Sequence, residues 1–310
     1  MQKIIIFGGS GFIGRHLMKE LDNDYEFIIP SRNPEAIQEK LPANAQTVKL
    51  SYSKFEKLIP FFEQAVGIIN LAGENISGRW THEKKREIES SRLKIDRLIL
   101  KVFDKANHNI KFIIQGSGIG IYGLSRDEME LDETSKLGRH DVLAKISTNH
   151  ERFLSPLKEK TRIVYIRTSL VLDKNESALP KMAVLFKKNL GGTLGSGKQW
   201  NSWIHIKDEV RAIKFLIDNK TASGAYNLTS PNAVRQKEFS KTLGKALHKP
   251  SYLRKPASIL RLMFGEMADS FLLKGLNIKP KRLLEEGFTF RFNTLEEALN
   301  DIYKNGSYTN

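Results

Sequence analysis

Short apolar runs alternate with longer amphipathic stretches along most of the chain. KIIIF (3–7), YEFIIP (25–30), TVKL (47–50), GIINLA (67–72), KFIIQGSG (111–118), RIVYIRTSLVL (162–172) and AYNLT (225–229) read as strands. Several are apolar at consecutive positions, the pattern of a strand buried on both faces of a parallel sheet. The clearest helix runs from Thr81 to about Lys105. There Ile88, Ile95, Leu98, Ile99, Val102 and Phe103 recur at spacings of three, four and seven, with Lys and Glu on the other side. Strands alternating with helices predict a doubly wound α/β sheet.

After about Leu172 the pattern loosens. A helix is predicted from Pro180 to Asn189, then a Gly-rich stretch, GGTLGSGKQW, a short WIHI strand, and a helix beginning near Asp208, which reads as its N-cap. The segment SILRLMFGEMADSFLL, set among Pro250, Pro256 and Pro280, reads as short helices of a second, smaller lobe. The polar tail KNGSYTN is expected to fray.

Composition narrows the class. Apolar residues are 40% and charged residues 27% of 310, a globular balance. With no cysteine, disulfides, thiolate metal sites and cysteine nucleophiles are excluded, and a cytoplasmic location is expected. The N-terminal apolar run breaks at glycine too early for a secretory segment, and no stretch is long enough for a membrane span. The net charge is +15, and residues 241–282 carry ten Lys or Arg against Glu266 and Asp269. This surface is expected to meet anionic small molecules and neither nucleic acid nor membrane, since no nucleic-acid recognition pattern accompanies it.

Candidate chemistry begins after the first strand with Gly8-Gly9-Ser10-Gly11-Phe12-Ile13-Gly14, followed by the amphipathic RHLMKEL. Glycines at 8, 11 and 14 clear the approach of a pyrophosphate to a helix N-terminus, where free N–H groups favour negative charge. At the end of the second strand, where an acid would accept from a ribose diol, stands Ser31-Arg32. A guanidinium there suits a 2′-phosphate, so NADP(H) is the expected cofactor.

GGSGFIG, INLAGENI and QGSGIGIYG resemble the extended, atypical branch of the short-chain dehydrogenase/reductase superfamily. RWTHEKKREIESSR, LGSGKQWNSWIHIKDEVRAI, GAYNLTSP and PKRLLEEGFTFRFNTLEEAL are similar to the subfamily called epimerase family proteins. The resemblance implies a Rossmann domain (1–173 and 198–230), a mainly helical substrate lobe (174–197 and 231–303) and a frayed tail (304–310). It implies that Gly8, Gly11, Phe12, Ile13 and Gly14 wrap the pyrophosphate, that Arg32 faces the 2′-phosphate, and that Leu71, Ala72 and Gly73 line the adenosine and ribose. Arg167 and Leu170 would lie beside the nicotinamide end, with Ser117 as the active-site serine. Tyr122 and one of Trp200 or Trp203 would wall the substrate pocket. No His/Asp/Glu grouping has metal-ligand spacing.

One departure bears on chemistry. The superfamily's proton relay is a Tyr and a Lys four residues apart, the lysine lowering the phenol's pKa. In GRHDVLAKISTNHERF, aligned by Glu151, Leu143 and Ser147 occupy those positions. Tyr122, His140, Lys145 and His150 are nearby, but no spacing specifies any of them, and the histidines and Lys145 read as solvated. Two readings stay open: an NADP(H)-dependent epimerase or oxidoreductase acting on a small carbonyl or sugar-derived substrate, or an NADPH-binding regulatory protein without turnover. The long helix from Thr81 also offers a surface for a homodimer.

Overall fold

The computed structural model describes residues 1–123 and 128–305. Seven strands, β1 (Gln2–Phe7), β2 (Tyr25–Ser31), β3 (Ala45–Lys49), β4 (Ala65–Asn70), β5 (Phe112–Gly118), β6 (Arg162–Thr168) and β7 (Gly224–Leu228), form one parallel sheet. Their order is β7-β6-β5-β4-β1-β2-β3, so the winding reverses between β1 and β4. A Rossmann α/β fold places its ligand crevice outside the carboxyl ends of the strands at that reversal.

Both faces of the sheet are buried, as the unbroken apolar runs require. Ile4 and Ile6 pack with Leu17 and Met18 of α1 (Phe12–Glu20) on one face; Ile5 and Phe7 pack with Ile95, Ile99 and Val102 of α2 (His82–Lys105) on the other. Thr81 caps α2, its hydroxyl accepting from the Lys84 amide at 3.1 Å. Further helices are α3 (Val142–Phe153), α4 (Leu179–Lys187), α5 (Ile206–Asp218), α6 (Gln236–Ala246), α7 (Ala257–Phe264) and α8 (Leu295–Asn300). A separate core gathers Leu172, Leu179, Phe186, Trp203, Phe239, Leu243 and Leu299, and the C-terminal region is largely helical.

Several boundaries differ from the sequence expectation. RIVYIRTSLVL is not one strand: β6 ends at Thr168, and Leu170–Leu172 pairs instead with Trp203–His205 in a small separate sheet. The helix expected to Asn189 stops at Lys187, with Asn189 at φ +57. Asp208 is not the N-cap of α5. His205 holds that position, its Nδ1 accepting from the Lys207 amide at 3.0 Å, while Asp208 is buried and accepts from the amides of Arg291 and Phe292. Of the expected frayed tail, Lys304 and Asn305 belong to a helical turn, Asp301–Asn305, and residues 306–310 lie outside the described residues.

Candidate functional site

The glycine turn leaves β1 at the reversal point. Gly8 has φ +79, and a Cβ there would stand 2.8 Å from the Leu71 carbonyl carbon, so the turn lies directly on the segment after β4. A Cβ at Gly14 would meet the Gly9 and Gly8 carbonyl oxygens at 2.6 and 2.7 Å, so glycine lets α1 settle onto its own turn. Gly11 is the N-cap and offers no side chain to the helix amides, and the first turn of α1 carries no acid. Those amides fit a pyrophosphate, and Phe12 and Ile13, packed against the sheet core, fix the angle of the helix. Arg15 joins the Ser10 carbonyl to Glu176, tying the turn to the segment after β6.

Ser31 and Arg32 end β2. The Ser31 hydroxyl accepts from the Asn33 amide at 3.1 Å, and the exposed Arg32 is joined by Lys49, whose ammonium donates to the Arg32 carbonyl at 2.8 Å. Two cations therefore occupy the strand end. Lys49 escaped the sequence reading because it comes from β3, and only the sheet order makes it a neighbour.

Leu71, Ala72 and Gly73 leave β4 beside the glycine turn. The Leu71 amide donates to Phe7 O at 2.9 Å, and the Ala72 amide to Asn70 Oδ1 at 3.2 Å. Gly73 packs against the Arg92 guanidinium of α2, where a Cβ would come within 2.9 Å of Cζ. Asn70 belongs to a buried network. Its amide donates to Asp96 Oδ1 and Gln115 Oε1, Gln115 also donates to Asp96, and His150 Nδ1 lies 2.6 Å from Asp96 Oδ2. His150 is thus no solvated helix residue; it is buried because the enclosed Asp96 carboxyl requires partners.

At the end of β5 a second chain of polar groups surrounds Ser117. The Ser117 hydroxyl donates to Glu151 Oε1 at 2.8 Å. Arg167, the register partner of Ser117 on β6, grips the same carboxylate at two points, Nε to Oε1 at 2.9 Å and Nη2 to Oε2 at 2.8 Å. Its Nη1 donates to the Tyr122 hydroxyl at 2.9 Å, which donates onward to Asn227 Oδ1 at 2.7 Å. Arg167 and Glu151 are 5% and 8% exposed.

The surroundings of the expected pocket walls revise one of them and choose between the other two. Tyr122 is fully buried with both hydrogen bonds taken inside the protein, and burial pushes its phenol up to about 12, so it neither walls an open pocket nor exchanges protons near neutrality. Trp203 lies in the second core, its indole donating to Asn232 O at 3.0 Å, and walls no pocket either. Trp200 is half-buried beneath the Arg235 guanidinium at 3.9 Å, and its indole nitrogen has no hydrogen-bond partner among the described residues. Leu170 packs against the second core, while His140 and Lys145 are exposed.

Leu143 packs on the turn after Ser117, 3.2 Å from where a Cβ on Gly120 would stand. Leu143, Ser147 and Glu151 are four residues apart on α3 and share one face. Glu151 is therefore the member of that stripe that reaches Ser117. The i, i+4 spacing was present in the sequence, where Glu151 served only as an alignment anchor. Among the described residues, no group of three His, Asp or Glu is placed to hold a metal ion.

A glycine turn at the strand reversal and a serine closing β5 define a Rossmann nucleotide-binding fold of the extended short-chain dehydrogenase/reductase kind. The chain belongs to the NAD dependent epimerase/dehydratase family, whose model matches residues 4–229; a domain of unknown function (DUF1731) matches 256–302. It is similar to Epimerase family protein YfhF of Bacillus subtilis (strain 168), 34% identical over 301 residues, covering 96% of this chain and 97% of that one. It is also 34% identical over 310 residues to an epimerase family protein of Staphylococcus epidermidis (strain ATCC 12228 / FDA PCI 1200), covering 98% and 100%. Among solved structures, human epimerase family protein SDR39U1 (isoform2) with NADPH matches with TM-score 0.87 and 29% identity over 98% of this chain and 100% of that one. The Thermus thermophilus UDP-glucose 4-epimerase complex with NAD matches in fold, with TM-score 0.78 and 16% identity over 98% of each chain.

Proposed function

We propose that this protein binds NADP(H) and acts, as an epimerase or oxidoreductase, on a small carbonyl or sugar-derived substrate, anionic ones included. The observation that carries the cofactor choice is the pair Arg32 and Lys49 at the end of β2, where a ribose-binding acid is absent. The open amides of α1 suit the pyrophosphate, and Leu71 to Gly73 suit the adenosine side. The NADPH in the human relative supports the same reading. The cofactor supplies hydride chemistry at nicotinamide C4, and Ser117 at the end of β5, its own proton held by Glu151, orients a substrate hydroxyl by accepting from it. Titration of the protein with NADPH and with NADH tests the assignment. NADPH should bind more tightly, and equal affinities would overturn it.

A second reading, an NADPH-binding regulatory protein without turnover, is favoured by one specific arrangement. Tyr122 is locked between Arg167 and Asn227, Leu143 fills the relay tyrosine's place, and Glu151 is gripped by Arg167. No side chain of this set is free to deliver a proton to a substrate. Turnover separates the two readings: steady NADPH consumption with a carbonyl substrate for an oxidoreductase, or formation of the product epimer without net NADPH consumption for an epimerase.

A further inference from the structure

The C-terminal region carries an unusual outer surface on α7. Leu260 of this helix is buried, yet Ile259, Leu262 and Met263 point outward and are 51%, 80% and 61% exposed. Positions i, i+3 and i+4 share a helix face, so these three form one apolar stripe directed at solvent. The strand pair Gly192–Leu194 and Leu253–Lys255 runs parallel, bringing Leu190 and Tyr252 to its amino end and α7 to its carboxyl end. Lys255 Nζ donates to Leu190 O at 2.6 Å, and both Leu190 and Tyr252 are exposed. Exposed apolar side chains gathered on one helix face mark an interaction site, which scattered surface leucines do not.

The same region holds most of the chain's net positive charge. Residues 179–200 contain Lys181, Lys187, Lys188 and Lys198 and no acid; residues 241–282 contain ten basic residues and two acids. Both of those acids are taken by ion pairs, Asp269 with Arg261 at 2.9 Å and Glu266 with Lys85. Of these fourteen cations, Lys245, Arg261, Lys279, Lys281 and Arg282 are ion-paired, and the other nine have no carboxylate partner among the described residues. A second copy of the chain would bring two such basic surfaces together and is disfavoured by repulsion. A nucleic acid would satisfy the charge but leave the apolar stripe in water.

We propose that this surface docks on a bilayer carrying anionic headgroups, with Ile259, Leu262 and Met263 entering the acyl boundary and the surrounding lysines and arginines meeting the headgroups. No helix among the described residues is long and apolar enough to cross a membrane, and interfacial docking requires none. The proposal is independent of the cofactor reading and replaces the expectation from sequence that this surface meets no membrane.

Sedimentation of the full chain with vesicles tests it. The chain should pellet with vesicles of phosphatidylcholine containing one-third phosphatidylglycerol and stay in solution with phosphatidylcholine alone. Leu262→Glu with Met263→Glu should lower the bound fraction about tenfold or more, and so should Lys187→Glu with Lys188→Glu, while Leu284→Glu at an exposed leucine elsewhere leaves it unchanged. All four altered side chains of the two double variants are exposed, so folding is not at stake, and far-UV circular dichroism checks it. Failure to pellet with anionic vesicles, equal pelleting with neutral ones, or indifference to the Leu262 and Met263 changes overturns the proposal. So does a dimer in light scattering, or tight RNA binding, that the Leu262 and Met263 changes abolish.

Discussion

Glu151 accepts the hydroxyl proton of Ser117 at 2.8 Å, from a helix position two steps of four residues beyond Leu143. Both carboxylate oxygens are also bound by Arg167, so the serine proton is directed into a closed ion pair and its oxygen is left to act as an acceptor.

If that pair organises the end of β5, Glu151→Ala should be costly. It leaves the Arg167 charge buried without its partner, a change of about 3–5 kcal/mol. Urea unfolding should show it, and Glu151→Leu combined with Arg167→Met should recover most of the loss. Additive losses in the double variant would argue against a coupled pair.

Cofactor choice gives a second test. A charge-assisted hydrogen bond is worth about 1.5–3 kcal/mol, so Arg32→Ala should weaken NADPH binding roughly 10- to 150-fold and change NADH binding little. NADPH fluorescence titration measures both. A proportional loss for the two cofactors would place Arg32 away from the 2′-phosphate.

Stability against pH should reveal Glu209. This carboxyl is fully buried, accepts from the Thr168 hydroxyl at 2.7 Å, and is raised from 4.5 to about 8 by burial. The folded chain thus keeps a proton that the unfolded chain releases above 4.5, so this group's contribution falls as pH rises from about 4.5 to 8. His205, lowered to about 4 by burial, works in the opposite sense: its contribution is lost as pH falls from 6.5 to about 4. Between pH 6.5 and 8 only Glu209 of the two titrates, with a slope of up to about 1.4 kcal/mol per pH unit. Denaturant midpoints for Glu209→Gln should be flatter across that window, and an unchanged slope would contradict the assignment.

Catalysis should be weak without the tyrosine and lysine. A positioned acid/base group contributes about 10²–10⁴ in rate, so neither NADPH oxidation nor epimer formation with UDP- or dTDP-sugars should exceed background, while NADPH still raises the melting temperature. Brisk turnover, abolished by Ser117→Ala and by Glu151→Gln, would show that the serine and carboxylate form a working relay.

The sheet, the glycine turn and its place between β1 and α1 were legible in the sequence, because burial on both faces and close backbone approach leave local marks: unbroken apolar runs, and glycines at 8, 11 and 14. The fate of the polar side chains was not local. Asp96 and His150 are 54 residues apart, and Tyr122 and Asn227 are 105 apart, so neither pair has a spacing to read. A buried polar group takes whichever partner the fold delivers. That rule put His150 inside, turned Tyr122 from a pocket wall into a structural hydrogen bond, moved the cap of α5 from Asp208 to His205, and gave Ser117 its carboxylate.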